Sequence, residues 1–223
     1  MKLITALIFS SFFLFYSCAE KKSTESQIQT TFTNPVIYAD VPDVDVIRVG
    51  SDFYMVSTTM HLMPGVPIMK SKDLVNWEII SYVVPEIKDS PTYDLEDGDV
   101  YGQGQWASSL RYHNGKFYVF FATNRPLKTY IYSTVDPTGK WEKIMDIDER
   151  YHDTSLFFDD DGRIYIAGGA GNIRLREMKS DLSGVMENGL DVEVINGAEQ
   201  NLNGLLEGTH LCKYNDKYYM FLI

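Results

Sequence analysis

One local pattern occurs four times in this chain: an apolar strand, a tight turn, then a second strand carrying aromatic residues. The copies run Asp45–Val56, Ser109–Phe121, Ser155–Ala167 and Thr209–Phe221. Each reads as a β-hairpin, because Asn114-Gly115 and Asp161-Gly162 supply the positive φ angles of tight turns, with Gly50 and Asn215-Asp216 serving the other two copies. The equivalent tyrosines are Tyr54, Tyr118, Tyr165 and Tyr219. They recur roughly every fifty to sixty residues, room for about four short strands plus loops, which is the content of one propeller blade. Helical periodicity is largely missing from Asn34 onward, so the repeat predicts an all-β fold, a β-propeller.

Composition agrees and narrows the function. The chain has 223 residues with 31 Asp plus Glu against 20 Lys plus Arg, a net charge of −11. That balance argues against a nucleic-acid partner, which calls for a basic patch. Apolar residues make up 44% and charged residues only 23%, enough for a sizeable core. Two cysteines rule out a disulfide framework or a cysteine-rich zinc module. Cys212 reads as a small buried residue.

Residues 1–18 read as a lipoprotein-type signal peptide. Lys2 precedes an apolar stretch from Leu3 to Ser17 that is too short for a membrane span. Ser17-Cys18 resembles the end of a bacterial lipobox, with Phe15 where Leu is usual, which makes Cys18 the lipidation site; a plain secretory signal is the alternative. The polar stretch 19–33 reads as a flexible tether. The expected location is outside the cytoplasm, membrane-anchored through that lipid alone, or else secreted.

Second signatures lie between the hairpins and suit outer strands. Ile68 through Trp77-Glu78 is echoed by Ile131 through Trp141-Glu142, while the third unit offers Arg176 to Leu182 with no Trp. Both tryptophans are expected to pack between sheets. The long loop from Pro85 to Gln105 is expected at one rim of the propeller.

The repeat also locates chemistry. Equivalent positions just before each inner strand hold Asp43, Ala107, Asp153 and Glu207. In a radial repeat these positions face one central channel. Three carboxylates converging there repel one another and shift their proton affinities, the arrangement that general acid and base work exploits. Glycoside hydrolysis is the reaction that most commonly needs two carboxylates across a small cleft. Asp45, two residues beyond Asp43, is the rival for the base.

At these residues the chain resembles glycoside hydrolase family 43, the five-bladed propellers that include β-xylosidases and α-L-arabinofuranosidases. The motifs are Asn34-Pro35-Val36 with Pro42-Asp43, Trp106-Ala107-Ser108-Ser109, His152-Asp153-Thr154-Ser155 and Leu206-Glu207-Gly208-Thr209-His210. Ser108, Thr154 and Thr209 stand where members carry proline. The resemblance spans residues 34–223 and implies an inverting glycosidase that releases terminal or side-chain pentose, xylose or arabinose, from plant poly- or oligosaccharides. Asp43 is then the general base, Glu207 the general acid, and Asp153 the residue that orients Glu207 and raises its proton affinity. Inversion calls for carboxyl groups about 6.5–9.5 Å apart. Trp106, His61 and His210 are candidate sugar contacts. No cofactor is required. Relatives often hold a structural calcium ion, but no metal ligand is assigned in this chain.

About three and a half of the five blades are present, since the fourth stops at Ile223 within its second strand. The expectation is therefore an incomplete catalytic domain over 34–223, poorly soluble and inactive by itself. A catalytically inactive carbohydrate-binding propeller is the alternative function.

Overall fold

The computed structural model describes residues 31–200, 202 and 206–223. Residues 1–18 with Cys18, and residues 19–30 of the tether, lie outside the described residues.

The four hairpins form at the expected turns, except that in the third only Gly162, at φ +85°, takes a positive φ and Asp161 does not. They pair β1 (Asp45–Val49) with β2 (Asp52–Val56), β5 (Gln105–His113) with β6 (Lys116–Thr123), β9 (Ser155–Phe158) with β10 (Ile164–Gly168), and β13 (His210–Tyr214) with β14 (Lys217–Phe221). Asn114 and Gly115, at φ +48° and +80°, turn the second hairpin, and Asn215 and Asp216, at +48° and +57°, turn the fourth. Two successive positive φ angles define the turn whose twist matches that of the flanking strands.

Each of the first three hairpins is extended by two more antiparallel strands. These are β3 (Gly65–Ser71) and β4 (Glu78–Val84), β7 (Lys128–Thr134) and β8 (Glu142–Ile147), and β11 (Asn172–Met178) and β12 (Asp191–Asn196). The result is three four-stranded sheets, each in sequence order from the inner to the outer strand, and one two-stranded sheet. The outer pair of every complete sheet carries a register shift, at Ile68/Met69, Ile131/Tyr132 and Ile173/Arg174. These bulges, at the fourth residue of β3 and β7 and the second of β11, sharpen the twist of the outer strands. Among the described residues the only named helical element is one 3₁₀ turn, Pro91–Asp94, capped by Ser90.

The inner strands are neighbours in order: β1 lies against β5, β5 against β9, and β9 against β13. Apolar side chains fill the seams between blades. Tyr54, Val56 and Ile68 of the first blade pack against Leu110, Phe117 and Trp141 of the second. Phe120 and Ile131 meet Leu156 and Ile166 in the next seam, and Phe157 and Tyr165 meet Leu211 in the third. Fully burying a side chain such as Leu110, Ile131 or Leu156 contributes about 1.5–3 kcal/mol. Trp141 packs between sheets as expected, whereas Trp77 folds over its own loop and donates its indole N–H to the Leu74 carbonyl at 3.0 Å. Cys212 is half-buried rather than buried.

This is the all-β architecture of a β-propeller, with three blades and the leading hairpin of a fourth among the described residues. A side chain on each of the first three inner strands also clasps the next blade. Asp45 Oδ2 accepts from the Leu110 N–H at 2.8 Å, Ser109 Oγ from Leu156 at 3.0 Å, and Ser155 Oγ from Leu211 at 3.0 Å. Thr209 holds the equivalent place in the fourth unit, its hydroxyl buried without a partner among the described residues.

Candidate active site

The three carboxylates converge at one end of the inner strands, because each belongs to the segment leading into one. Asp43 precedes β1, and its segment is held by the Pro42 carbonyl, which accepts from Thr58 N at 3.1 Å and from Ser57 Oγ at 2.6 Å. Asp153 precedes β9, where Gly169 N–H donates to the His152 carbonyl at 3.0 Å. Gly168 is required there, because a Cβ would collide with Thr154 Oγ1 and lie 2.8 Å from the His152 carbonyl oxygen. Glu207 precedes β13, and its backbone exchanges two hydrogen bonds with Ile223, at 3.2 and 3.0 Å.

Asp43 and Asp153 share an unusual backbone, with φ of +51° and +43°, and Gly208 beside Glu207 stands at +66°. Aspartate tolerates the left-handed region better than most residues, and strain of this kind collects at functional sites. A cavity of about 350 Å³ opens among Asp43, Asp153 and Glu207, with Ala107 and His210 also in its wall.

The charges within that cavity feel one another. Burial pushes the Asp153 carboxyl above its ordinary value, and the negative charges of Glu207 and Asp43 push the same way; His152 and the Gly208 N–H, 3.2 Å from Asp153 Oδ2, pull back. Asp45 behaves oppositely. Burial disfavours its charge, but Arg111, His210 and the Leu110 N–H outweigh burial and hold its carboxyl below the usual carboxylate range. Asp45 therefore stays ionised, with Oδ2 bonded to Leu110 and Arg111, while Asp43 is exposed to the cavity.

The other candidate contacts are divided. His210 lines the cavity, with Nδ1 turned toward Asp45 Oδ1 at 3.1 Å. Trp106 and His61 are not in its wall. Trp106 donates its indole N–H to the Gly102 carbonyl, lies under the Arg150 guanidinium at 5.4 Å and meets the His152 ring edge-on at 5.5 Å. His61 packs on Tyr101 at 4.6 Å. The long loop is pinned rather than free: Asp89 accepts from the Tyr130 hydroxyl at 2.8 Å, and Thr92 and Val100 are buried.

Two residues of the site escaped the sequence reading. His152 places Nε2 2.8 Å from Glu207 Oε2 and 3.7 Å from Asp153 Oδ1. Its position immediately before Asp153 was the available signal. Arg111 reaches Asp45 at 2.7 Å, and its signal was a break in the apolar pattern of the inner strands. His152, Asp153 and Glu207 form one group close enough to share an ion, with ligand atoms within 4.8 Å of one another. One ring nitrogen and two carboxylates do not fit calcium, which takes six to eight oxygen ligands.

A family profile described as glycosyl hydrolases family 43 matches residues 32–222. Among curated relatives, a non-reducing end α-L-arabinofuranosidase of Bacteroides ovatus is 35% identical over 87% of this chain and 36% of its own length. A putative β-xylosidase of Xylanibacter ruminicola is 32% identical over 91% of this chain and 37% of its own. Among solved structures, a bifunctional GH43-CE protein of Bacteroides eggerthii superposes with a TM-score of 0.80 at 45% identity, covering 85% of this chain and 25% of that one. The chain thus spans about a third of the length of the curated relatives it matches.

Proposed function

The chain belongs to glycosyl hydrolase family 43, and from that membership we propose that it releases terminal or side-chain pentose, xylose or arabinose, from oligo- or polysaccharides by inverting hydrolysis. One observation carries the reading: carboxylates from three different blades meet at one cavity, and Asp153 feels the charge of both others. The names of the relatives, an arabinofuranosidase and a putative β-xylosidase, support pentose as the sugar released.

In this mechanism Asp43, exposed in the cavity wall, removes a proton from the water that attacks the anomeric carbon. Glu207 protonates the departing glycosidic oxygen from the opposite face. Asp153, its carboxyl pushed above the ordinary value by burial and by the charges of Glu207 and Asp43, sits beside Glu207, and the same mutual repulsion favours the protonated acid. The Asp153 bond to Gly208 N–H aligns the backbone that carries Glu207. Asp45 is a poor base, because its lone pairs face Arg111, His210 and a backbone N–H. The apolar stretch before Cys18 supports an exported enzyme tethered by lipid.

The test is hydrolysis of aryl β-D-xylopyranosides and aryl α-L-arabinofuranosides by the full chain, with proton NMR of the first sugar released. Release of the inverted anomer, abolished by Glu207→Gln, is the result this reading expects, and it would overturn the expectation that the incomplete domain is inactive by itself. Binding of oligosaccharide without cleavage would overturn the reading in favour of a carbohydrate-binding propeller.

A further inference from the structure

Arg111 interrupts the inner-strand pattern. In the other three units, the residue two beyond the clasping side chain is apolar: Ile47, Phe157 and Leu211. Arg111 stands there in the second unit with a side chain only 12% exposed. A buried cation costs several kcal/mol unless its geometry is well satisfied.

Its satisfaction comes from two other blades at once. Nη1 donates to Asp45 Oδ2 at 2.7 Å and Nη2 to Ser155 Oγ at 2.6 Å, while His210 Nδ1 lies 3.5 Å from Nη2. Both acceptors are themselves clasps. Asp45 joins the first blade to the second, and Ser155 joins the third blade to the fourth. One guanidinium therefore grips both joints.

Those joints stand two residues downstream of the carboxylates, Asp45 after Asp43 and Ser155 after Asp153, and Ser155 holds the strand that follows Glu207. Arg111 is absent from the wall of the carboxylate cavity. It lines a second cavity of about 300 Å³, which shares His210 with the first. The Asp45–Arg111–His210 cluster thus separates the two spaces.

We propose that Arg111 is a positioning residue: by holding the Asp45 and Ser155 joints together it fixes Asp43 relative to Asp153 and Glu207 without touching substrate. The inference rests on the glycosidase reading above. Only a planar fork serves both acceptors, since the compact ammonium of lysine is a single point charge and cannot reproduce the two-pronged geometry.

Arg111→Lys and Asp45→Asn in the full chain, compared with the core variant Ile131→Val, provide the test. Loss of stability alone lowers melting temperature in all three and leaves the kcat of the folded fraction unchanged. Positioning predicts that Arg111→Lys and Asp45→Asn lower kcat by about 10- to 100-fold with KM little changed, the penalty of displacing reacting groups by a fraction of an ångström to about 1 Å. Folded variants with the kcat of Ile131→Val overturn the proposal. If the parent chain cleaves no pentoside, the glycosidase reading falls separately, and crystal structures of the parent and Arg111→Lys decide: an unchanged Asp43-to-Glu207 carboxyl separation overturns the positioning role, and a changed one sustains it.

Discussion

Nε2 of His152 stands 2.8 Å from Oε2 of Glu207, and the same ring meets Trp106 edge-on. Trp106 is in turn covered by Arg150. The stack fixes the imidazole, and the imidazole fixes the carboxyl group proposed to protonate the leaving oxygen. His152→Phe keeps the aromatic packing and removes the polar contact, so kcat is expected to fall by about 100-fold while the melting temperature changes little. Steady-state kinetics beside a thermal melt checks it, and an unaltered kcat would sink the idea.

Asp43 and Asp45 separate chemistry from structure. Asp43→Ala removes an exposed group and is expected to lower kcat by about 10²–10⁴-fold, the usual contribution of a general base, with no loss of stability. Asp45→Ala leaves Arg111 buried without its anion, an expected cost of about 3–5 kcal/mol. Urea denaturation of the two variants should show the contrast, and equal destabilisation would contradict it.

The same pair of neighbourhoods predicts opposite pH dependence. Asp45 is held below the ordinary carboxylate value in the fold, so its contribution is present above the unfolded pKa of about 3.9 and lost as pH falls through the lower folded value. Asp153 is pushed up, so its contribution is present below the unfolded value and lost as pH rises through the folded one. Asp153→Asn is therefore expected to be inactive yet more stable than the parent at pH 7, by roughly 0.5–2 kcal/mol. The gain should vanish near pH 3, and a gain independent of pH in thermal melts would refute the assignment.

Gly168 ends β10 against the segment that carries Asp153. Gly168→Ala introduces a methyl group into Thr154 Oγ1 and the His152 carbonyl. The expected cost is about 1–3 kcal/mol, together with a fall in kcat as Asp153 is displaced. Chemical denaturation and kinetics on one preparation test both halves, and full activity in a destabilised protein would show the segment to be indifferent to its support.

Much of the architecture was legible because its determinants are local. Asn114-Gly115 and Asn215-Asp216 dictate their turns within a few residues, and the spacing of four such turns dictates blades. The convergence of Asp43, Asp153 and Glu207 was legible for the same reason, since equivalent positions of a radial repeat must meet. The outer strands were harder: β11 forms without the tryptophan that marked the first two units, on the strength of pairing with β10. His152 and Arg111 gain their meaning from partners on other blades, 55 and 66 residues away in the chain, which no local pattern announces. Trp106 drew attention by adjoining the channel position of the second unit and His61 by lying in the loop after the first hairpin, yet their neighbours are Arg150, His152 and Tyr101.

The inter-blade clasps divide labour along a single strand. Asp45, Ser109 and Ser155 differ in charge and size yet perform one task, because a backbone N–H donates to any short oxygen-bearing side chain. The places two residues earlier, Asp43, Ala107 and Asp153, vary from acid to methyl, and of these Asp153 adds a bond of its own, accepting the Gly208 N–H. Spacing and reactivity are thus encoded at alternate positions of the same segment. A lineage can rewrite the reacting groups of one blade while its neighbours keep their seats, which makes the inner strand a socket for new chemistry.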